Sequence, residues 1–303
     1  MSENAIASKY DIRAIKDGDS PGILAVLNSA FGKQASPEWF DWKHRSGPWG
    51  PSVGWVAEDQ RGRIAAVRLM TPWALWSADG VVMIERAMDG AVDPSAQRQG
   101  LFSRCVRAEM DAIRSGSRSA ALVYSTSVPA SREAYRKLGW SISDVPHALH
   151  VVLPTARALS KIVWDDALEQ SIPAGKTLAT AWTAEALGWR ISSLSGNAYR
   201  TVRLGQSDQS CGLIVRRTEL KGVRAMVVVF AWGPDRDLRT LVGAAAARMR
   251  TALVLSAGDT PGLRRGASVN ASTVSVWSPD LEVREDKSVT HLPLQFADLE
   301  GAM

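Results

Sequence analysis

The chain has little of what usually marks a site at first reading. In 303 residues there are two cysteines, Cys105 and Cys211. With no export signal ahead of them, they read as free thiols rather than a disulfide. The four histidines (His44, His147, His150 and His291) are scattered, and none stands beside a cysteine at metal-ligand spacing, so no metal is expected. No Lys/Arg block is long enough for a nucleic-acid arm, which argues against a nucleic-acid partner. The longest apolar runs, such as 227–232, are far too short to cross a bilayer, and residues 1–9 have no apolar signal core. The expectation is a cytoplasmic protein, monomer or homodimer, without membrane insertion.

What is present is ordinary globular material. Apolar residues make up 46 % and charged residues 22 %, which excludes long disorder, and the length suits two domains. A formal charge of +5 suits an anionic cofactor but also many proteins without one. Twelve tryptophans are the unusual feature, and most should be core.

Local patterns predict a strand at 10–15, a helix from Pro21 to Gly32, and a second helix from Ser36 carrying Trp39, Phe40 and Trp42 on its apolar side. Gly47-Pro48 and Gly50-Pro51 then break the chain. Strands at 53–57 and 63–71 flank the turn 59–62, and another strand lies within 81–92. From Leu101 the period becomes 3.6: Phe102, Cys105, Val106, Met110 and Ile113 share one face, and Arg104, Arg107, Asp111 and Arg114 the other. A buried strand at 120–124 and a helix at 131–138 follow. This order predicts an α/β fold, with helices on both faces of a mixed sheet.

A domain boundary is expected at 153/154. Beyond it come a helix at 184–190, a hairpin of 197–204 with 211–217, a strand at 224–230, a helix at 238–250 and a strand at 251–256. The halves echo each other: Trp42-Lys43 and Trp189-Arg190 each precede a turn and two strands at nearly constant offset. Two common hairpins falling at matching distances would look the same, but a duplicated domain accounts better for the offset.

The most informative stretch runs Ala91-Val92-Asp93-Pro94-Ser95-Ala96-Gln97-Arg98-Gln99-Gly100-Leu101-Phe102-Ser103. A strand ends, a loop follows, and a helix opens at a glycine. The first amides of such a helix lack partners, and its dipole adds partial positive charge, so the site suits a pyrophosphate. Gly100 removes the Cβ that would hinder close approach, and Arg98 adds charge at the rim.

Here the chain resembles the GNAT acyltransferase superfamily. Gln97-Arg98-Gln99-Gly100-Leu101-Phe102 follows Val92-Asp93-Pro94 as the family's Arg/Gln-x-x-Gly-x-Gly/Ala signature follows a Val-x-Pro step. Phe102 departs from the small residue usual at the last position, which predicts a tighter or shifted loop. Ala134-Tyr135-Arg136-Lys137-Leu138-Gly139-Trp140 resembles the family's Tyr-x-Lys-Leu-Gly-aromatic segment, and Tyr10-Asp11-Ile12-Arg13 with Phe31-Gly32 resembles its start. The likeness covers about residues 10–150. Trp42-Lys43 and the long C-terminal half resemble the tandem branch that includes sugar N-acyltransferases and Fem-like enzymes.

The resemblance implies a GNAT fold in two tandem domains: an acyl-CoA-binding catalytic domain at 1–153, and a degenerate GNAT-like domain without a phosphate loop at 154–303. It implies acetyl-CoA, or another short acyl-CoA, held by Ala91, Val92, Gln97, Arg98, Gln99, Gly100, Leu101, Phe102 and Ser103. The backbone of Ala91 and Val92 would meet the pantetheine arm, and the amides of 98–103 the pyrophosphate. The acceptor would be a small-molecule amine, with an amino sugar, free or nucleotide-linked, as the first expectation. Tyr135 stands where the family protonates the leaving thiolate. Glu85 and Asp89, on one face of a regular strand, are candidates for the base, with Asp89 preferred as nearer the thioester and Arg86 a possible pair for either. A β-bulge there would change which carboxylate faces the pocket. Val128 stands where the family often has an asparagine, with Ser127 or Ser131 as substitutes. His44 is read as a surface residue that could face the acceptor. Trp49, Trp55, Trp73 and Trp76 are either core or an aromatic wall for the acceptor. The C-terminal half has Trp232-Gly233-Pro234-Asp235-Arg236-Asp237 where a second loop would stand, and its acids oppose a pyrophosphate. A degenerate GNAT that binds CoA or scaffolds, and a Fem-like aminoacyl transferase, are the alternatives.

Overall fold

The computed structural model describes residues 9–32, 34–165, 179–192, 194, 198–204, 211–258, 260–263, 266–279 and 294–299. His291 and the expected turn at 195–197 lie outside them. Backbone contacts divide the chain into two compact units. Unit 1 is Met1–Trp73, Met83–Ile142 and Ser275–Ser288; unit 2 is Ala74–Val82, Ser143–Val274 and Val289–Met303.

Unit 1 opens with strand β1 (Tyr10–Ala14) and helix α1 (Ser20–Phe31), with Pro21 inside its first turn and left-handed Gly32 closing it. Helix α2 (Pro37–Phe40), capped by the Ser36 hydroxyl, is much shorter than its pattern predicts, because it widens at once into a π-helical turn, Asp41–Arg45. That turn buries three successive side chains, Trp42, Lys43 and His44. Strands β2 (Val53–Asp59) and β3 (Ile64–Ser77) form the expected antiparallel hairpin, and β1 pairs antiparallel with β2. Strand β4 (Gly80–Val92) leads through the loop to helix α3 (Leu101–Arg114). Strand β5 (Val123–Ser127) is parallel to β4, and helix α4 (Pro129–Lys137) follows it. The sheet order is β1-β2-β3-β4-β5.

The core under α3 and α4 joins Met70, Ala87, Val106, Met110, Ile113, Val123, Tyr135 and Trp140. It also takes in Trp277 from strand β12 (Ala267–Trp277), whose indole stacks 6.4 Å from that of Trp140.

Unit 2 repeats this topology. Strands β7 (Ile162–Asp165), β8 (Tyr199–Leu204), β9 (Gly212–Leu220) and β10 (Val223–Trp232) are successively antiparallel, and helix α6 (Asp235–Met249) then leads to β11 (Leu253–Ala257), parallel to β10. Helix α5 (Ala184–Arg190) precedes β8 as the π-helical turn precedes β2. In both units a parallel contact, β4 with β5 and β10 with β11, is made across a helix, as a crossover connection requires. The core of unit 2 lies between α6 and β8–β11, with Val202, Leu213, Val228, Leu241, Ala245 and Val254 fully or almost fully buried.

Three strands were not expected from the sequence: β7, β12 and the strand that follows α4. Strand β6 (Ser141–Val151) pairs antiparallel with β11. β6 carries polar residues and Pro146 through its middle, which hides it from a strand pattern. Strand 120–124 is displaced toward the C-terminus, to 123–127.

Candidate functional site

Three features of unit 1 gather near the C-terminal end of β4. The first is the loop. Ser95 N–H donates to the Asp93 carboxylate (2.9 Å), closing a 3-10 turn at Pro94–Ala96, and buried Ala96 anchors it. Gln97, Arg98, Gln99 and Gly100 are exposed. Arg98 (φ 61°) and Gly100 (φ 71°) are both left-handed, a conformation natural for the glycine and uncommon for the arginine. Gly100 is the N-cap of α3 and offers no side chain, so no side-chain bond caps the helix. Nothing lies within 4 Å of where a Gly100 Cβ would be. The first amides of a fourteen-residue helix therefore carry no side-chain cap, with the positive end of its dipole behind them and open space beside Gly100.

Phe102 does not crowd this loop, contrary to the expectation from its size. Its ring turns under β4, edge-on to Tyr135 with centroids 5.6 Å apart, and approaches Gly90 so closely that a Cβ there would lie 3.1 Å from Phe102 Cε2. Gly90 makes room for the ring, and Phe102 keeps its main chain at the start of the helix.

The second feature is where β4 and β5 part. Their pairing runs from Glu85–Val123 to Ala87–Ser125, while β4 continues to Val92, through Ala91, and β5 to Ser127. At the last pair the buried Tyr135 hydroxyl accepts from Arg68 Nη1 (2.6 Å) and donates to Ser125 Oγ (3.1 Å). Arg68 in turn donates through Nε to Glu109 Oε2 (2.5 Å), and both residues are buried. Burial works against the guanidinium charge, and Glu109 with Tyr135 more than offsets it, so Arg68 is held firmly protonated. Arg68 Nη2 and Glu109 Oε1 have no hydrogen-bond partner among the described residues.

The third feature separates the two candidate carboxylates. Ala87 packs with Val106 on the α3 side, and Gly90 faces Phe102 on that same side. Regular alternation cannot put residues three apart on one face, so the strand is irregular between them. Glu85 and Asp89 consequently do not share a face. Glu85 is paired with Arg118 after α3; burial pushes its carboxyl up to about 7 against the pull of that arginine. Arg86, the pairing once open to either acid, instead lies over the rings of Trp73 (4.6 Å) and Tyr124 (5.5 Å).

Asp89 meets the π-helical turn. Its Oδ2 lies 2.8 Å from Lys43 Nζ and 2.9 Å from His44 Nε2, and all three side chains are buried. Burial pulls the Asp89 carboxyl upward, but Lys43 and His44 overcome it and hold the group well below the usual carboxylate range. His44 is therefore no surface residue. Its Nδ1 lies 3.0 Å from Ser52 Oγ, which is 2.8 Å from Thr71 Oγ1, and burial lowers its proton affinity more than Asp89 raises it. The rings of Trp39 and Phe40 pack against the imidazole, and Lys43 Nζ lies 4.8 Å from the Trp39 ring centre.

The remaining candidates sort simply. Ser127 bonds Ser275, the Ser131 hydroxyl donates to Val128 O (3.1 Å), and Val128 is exposed at the start of α4. Trp73 is fully buried and lies 4.7 Å from half-buried Trp49; Trp55 is half-buried, and Trp76 belongs to unit 2. In unit 2, β10 ends at Trp232 and α6 starts at Asp235, so no loop corresponds to 93–100; Asp235 and Asp237 stand in the first turn, and Asp235 accepts from Gly262 N–H (3.2 Å). Among the described residues no helix is long and apolar enough to cross a membrane, and no group of three or more His, Cys, Asp or Glu residues could hold a metal.

Arg68, Glu109, Ser125 and Ser52 were not singled out in the sequence, and Lys43 was noted there only within the Trp42-Lys43 pair, without a role in the site.

Comparison with known proteins agrees with this architecture. The sequence profile of the acetyltransferase (GNAT) domain matches residues 11–143. No curated protein sequence matches the chain. Among solved structures, a GCN5-related N-acetyltransferase from Anabaena variabilis superposes with a TM-score of 0.64 at 9% identity, over 88% of this chain and 72% of that one. Eis1 from Mycobacterium abscessus gives 0.62 at 14% identity over 90% and 75%. A putative acetyltransferase from Pyrococcus horikoshii gives 0.57 at 9% identity over 100% and 98%. At such identities the likeness speaks for the fold, and the profile speaks for the domain. The acetyltransferase (GNAT) domain model thus accounts for residues 11–143, and the likeness of the whole chain to solved N-acetyltransferases is one of fold.

Proposed function

We propose that the chain is an N-acyltransferase that moves an acetyl or other short acyl group from acyl-CoA to the amine of a small molecule. The observation that carries the reading is the uncapped start of α3 behind left-handed Gly100, open to space and set beside the gap between β4 and β5. The amides of 98–103 would bind the pyrophosphate, with Gln97, Arg98 and Gln99 at the rim, and the β4 backbone at Ala91 and Val92 would hold the pantetheine arm. The thioester then falls near Ser125 and Tyr135. CoA supplies an activated acyl group; the protein orients it, accepts the amine's proton, and returns a proton to sulfur from Tyr135. The bond from Arg68 Nη1 fixes the direction of the phenol oxygen.

An amino sugar is the first acceptor to test. A glucosamine N-acetyltransferase region of a fungal multi-domain β-N-acetylglucosaminidase shares the fold with a TM-score of 0.51 at 14% identity, over 91% of this chain and 39% of that one. The tandem branch of the superfamily, with one cofactor site per chain in a catalytic domain at 1–153 and a loop-less domain at 154–303, fits the repeated topology and the missing loop before α6. The retained loop favours CoA over aminoacyl-tRNA as donor.

Calorimetry with CoA and thiol release from acetyl-CoA over an amine panel test the reading together. Wild-type protein should bind CoA saturably, and Gly100→Glu should not, because it puts bulk and negative charge where the phosphates must sit. Equal affinity in the two proteins would remove the loop from the site.

A further inference from the structure

The buried charges around Asp89 form a chain that passes through half-buried Ser52, and no part of the phosphate loop explains it. Lys43 and Asp89 are an ion pair; Asp89 meets His44; His44 meets Ser52; Ser52 meets Thr71. Lys43, His44, Thr71 and Asp89 are buried, and Ser52 is the one member that is not. The segment is rigidly made. The π-helical turn aims Lys43 and His44 at β4, and the Ser52 N–H donates to His44 O (2.7 Å), tying the loop end back to the turn.

The contacts dictate the proton positions. An ionised Asp89, with Lys43 on the same oxygen, can only accept, so His44 Nε2 carries the hydrogen. A neutral His44 then has a bare Nδ1, and Ser52 must donate its hydroxyl proton to it. The ring is faced by Asp89 of β4, Lys43 of its own turn, Trp39 and Phe40 of α2, Ser52 of the loop before β2, and through Ser52 by Thr71 of β3.

We infer that Ser52, His44 and Asp89 are the proton-accepting relay for the acceptor amine: Ser52 touches the amine, and His44 and Asp89 act through Ser52. This rests on the acyltransferase reading and assigns its missing base. As the amine nitrogen attacks the thioester carbonyl, the N–C bond forms and the C–S bond breaks. The amine proton passes to Ser52 Oγ while the Ser52 proton passes to His44 Nδ1. The imidazolium so formed is held by the Asp89 carboxylate until it releases its proton to water. The thiolate takes its proton from Tyr135, which regains one from water, so one amide and one thiol are the net products. Asp89 thereby acts two groups away from the substrate, and Lys43 keeps it ionised.

Two measurements test the relay. Nitrogen-15 NMR of the imidazoles in the full chain should show His44 neutral at pH 7, with hydrogen on Nε2 and a bare Nδ1. An imidazolium, or the opposite tautomer, overturns the proposal whatever the activity. In thiol release from acetyl-CoA with glucosamine as probe amine, Ser52→Ala and His44→Gln should lower kcat/KM about a hundredfold, the low end of what proton transfer contributes. CoA affinity by calorimetry should stay within twofold of wild type. Glutamine can keep both neutral hydrogen bonds of the imidazole but cannot carry the proton, so His44→Gln should also abolish the acid limb of the pH profile, whereas a merely structural histidine would leave that limb in place. Full rates in both variants overturn the relay. Failure of wild-type protein to bind CoA instead overturns the acyltransferase reading on which it stands.

Discussion

Removing one oxygen, in Tyr135→Phe, separates chemistry from packing. The ring stays between Phe102 and Trp140, whose centroids lie 5.6 and 4.5 Å away, so no cavity opens. Two hydrogen bonds go: the 2.6 Å bond from Arg68 Nη1 and the 3.1 Å bond to Ser125 Oγ. Arg68 is buried and keeps Glu109, but Nη1 joins Nη2 in lacking an acceptor. Leaving such a donor unsatisfied costs about 1–3 kcal/mol. At about 2–4 °C per kcal/mol for a unit of this size, Tm should fall by roughly 2–12 °C. If the hydroxyl protonates the leaving thiolate, kcat should fall by about two orders of magnitude as well, with CoA affinity nearly unchanged. Ser125→Ala is the control. It removes only the neutral bond, worth about 1 kcal/mol, and leaves the phenol beside Arg68, so Tm should drop slightly while kcat holds. Thermal melts and thiol-release kinetics on the three proteins decide. A Tyr135→Phe variant that loses stability yet turns over at the wild-type rate would refute the proton-donor role and leave Tyr135 as a brace for Arg68.

Lys43→Met should destabilise the fold by about 3–5 kcal/mol in chemical denaturation, because it leaves the buried Asp89 carboxylate without its cation; a loss below 1 kcal/mol would mean that Asp89 is neutral or solvated. Glu85→Gln should change stability in a pH-dependent way. The wild-type carboxyl is raised from 4.5 to about 7 when folded, so its contribution is fully present below about pH 4.3 and lost as pH rises through 7. The variant escapes that loss and should gain on wild type between pH 5 and pH 8, with about 3 kcal/mol as ceiling, since Arg118 gives up its partner; denaturation curves that keep a constant offset at the two pH values contradict the raised carboxyl. Calorimetry of the full chain should give one CoA per chain, because only unit 1 has a loop before its crossover helix; a stoichiometry of two would mean that α6 binds as well.

The sequence by itself determined the parts whose cause is local. A glycine at a helix start permits a left-handed backbone and leaves the first amides without a side-chain cap, so the 93–100 loop and α3 are visible in one stretch of chain. The hairpins follow from turn residues between alternating runs, and the order of elements follows from those pieces. Tyr135 was marked by its neighbours in sequence, from Ala134 to Trp140. What only the tertiary structure decided are the partnerships made across distance in the chain. Irregularity within β4 depends on what packs against each face, and it sent Glu85 to Arg118 and Asp89 to Lys43 and His44. Arg68 and Glu109, forty-one positions apart, could sit in the core only because each neutralises the other there. Strands β6 and β12 carry too many polar residues to stand out, and they are fixed by contacts such as Thr273 with Asp144, 129 positions away. His44 read as a surface residue because a short run of Trp-Lys-His-Arg looks solvated. The π-helical turn wound its lysine and histidine inward, where a buried carboxylate makes burying them affordable.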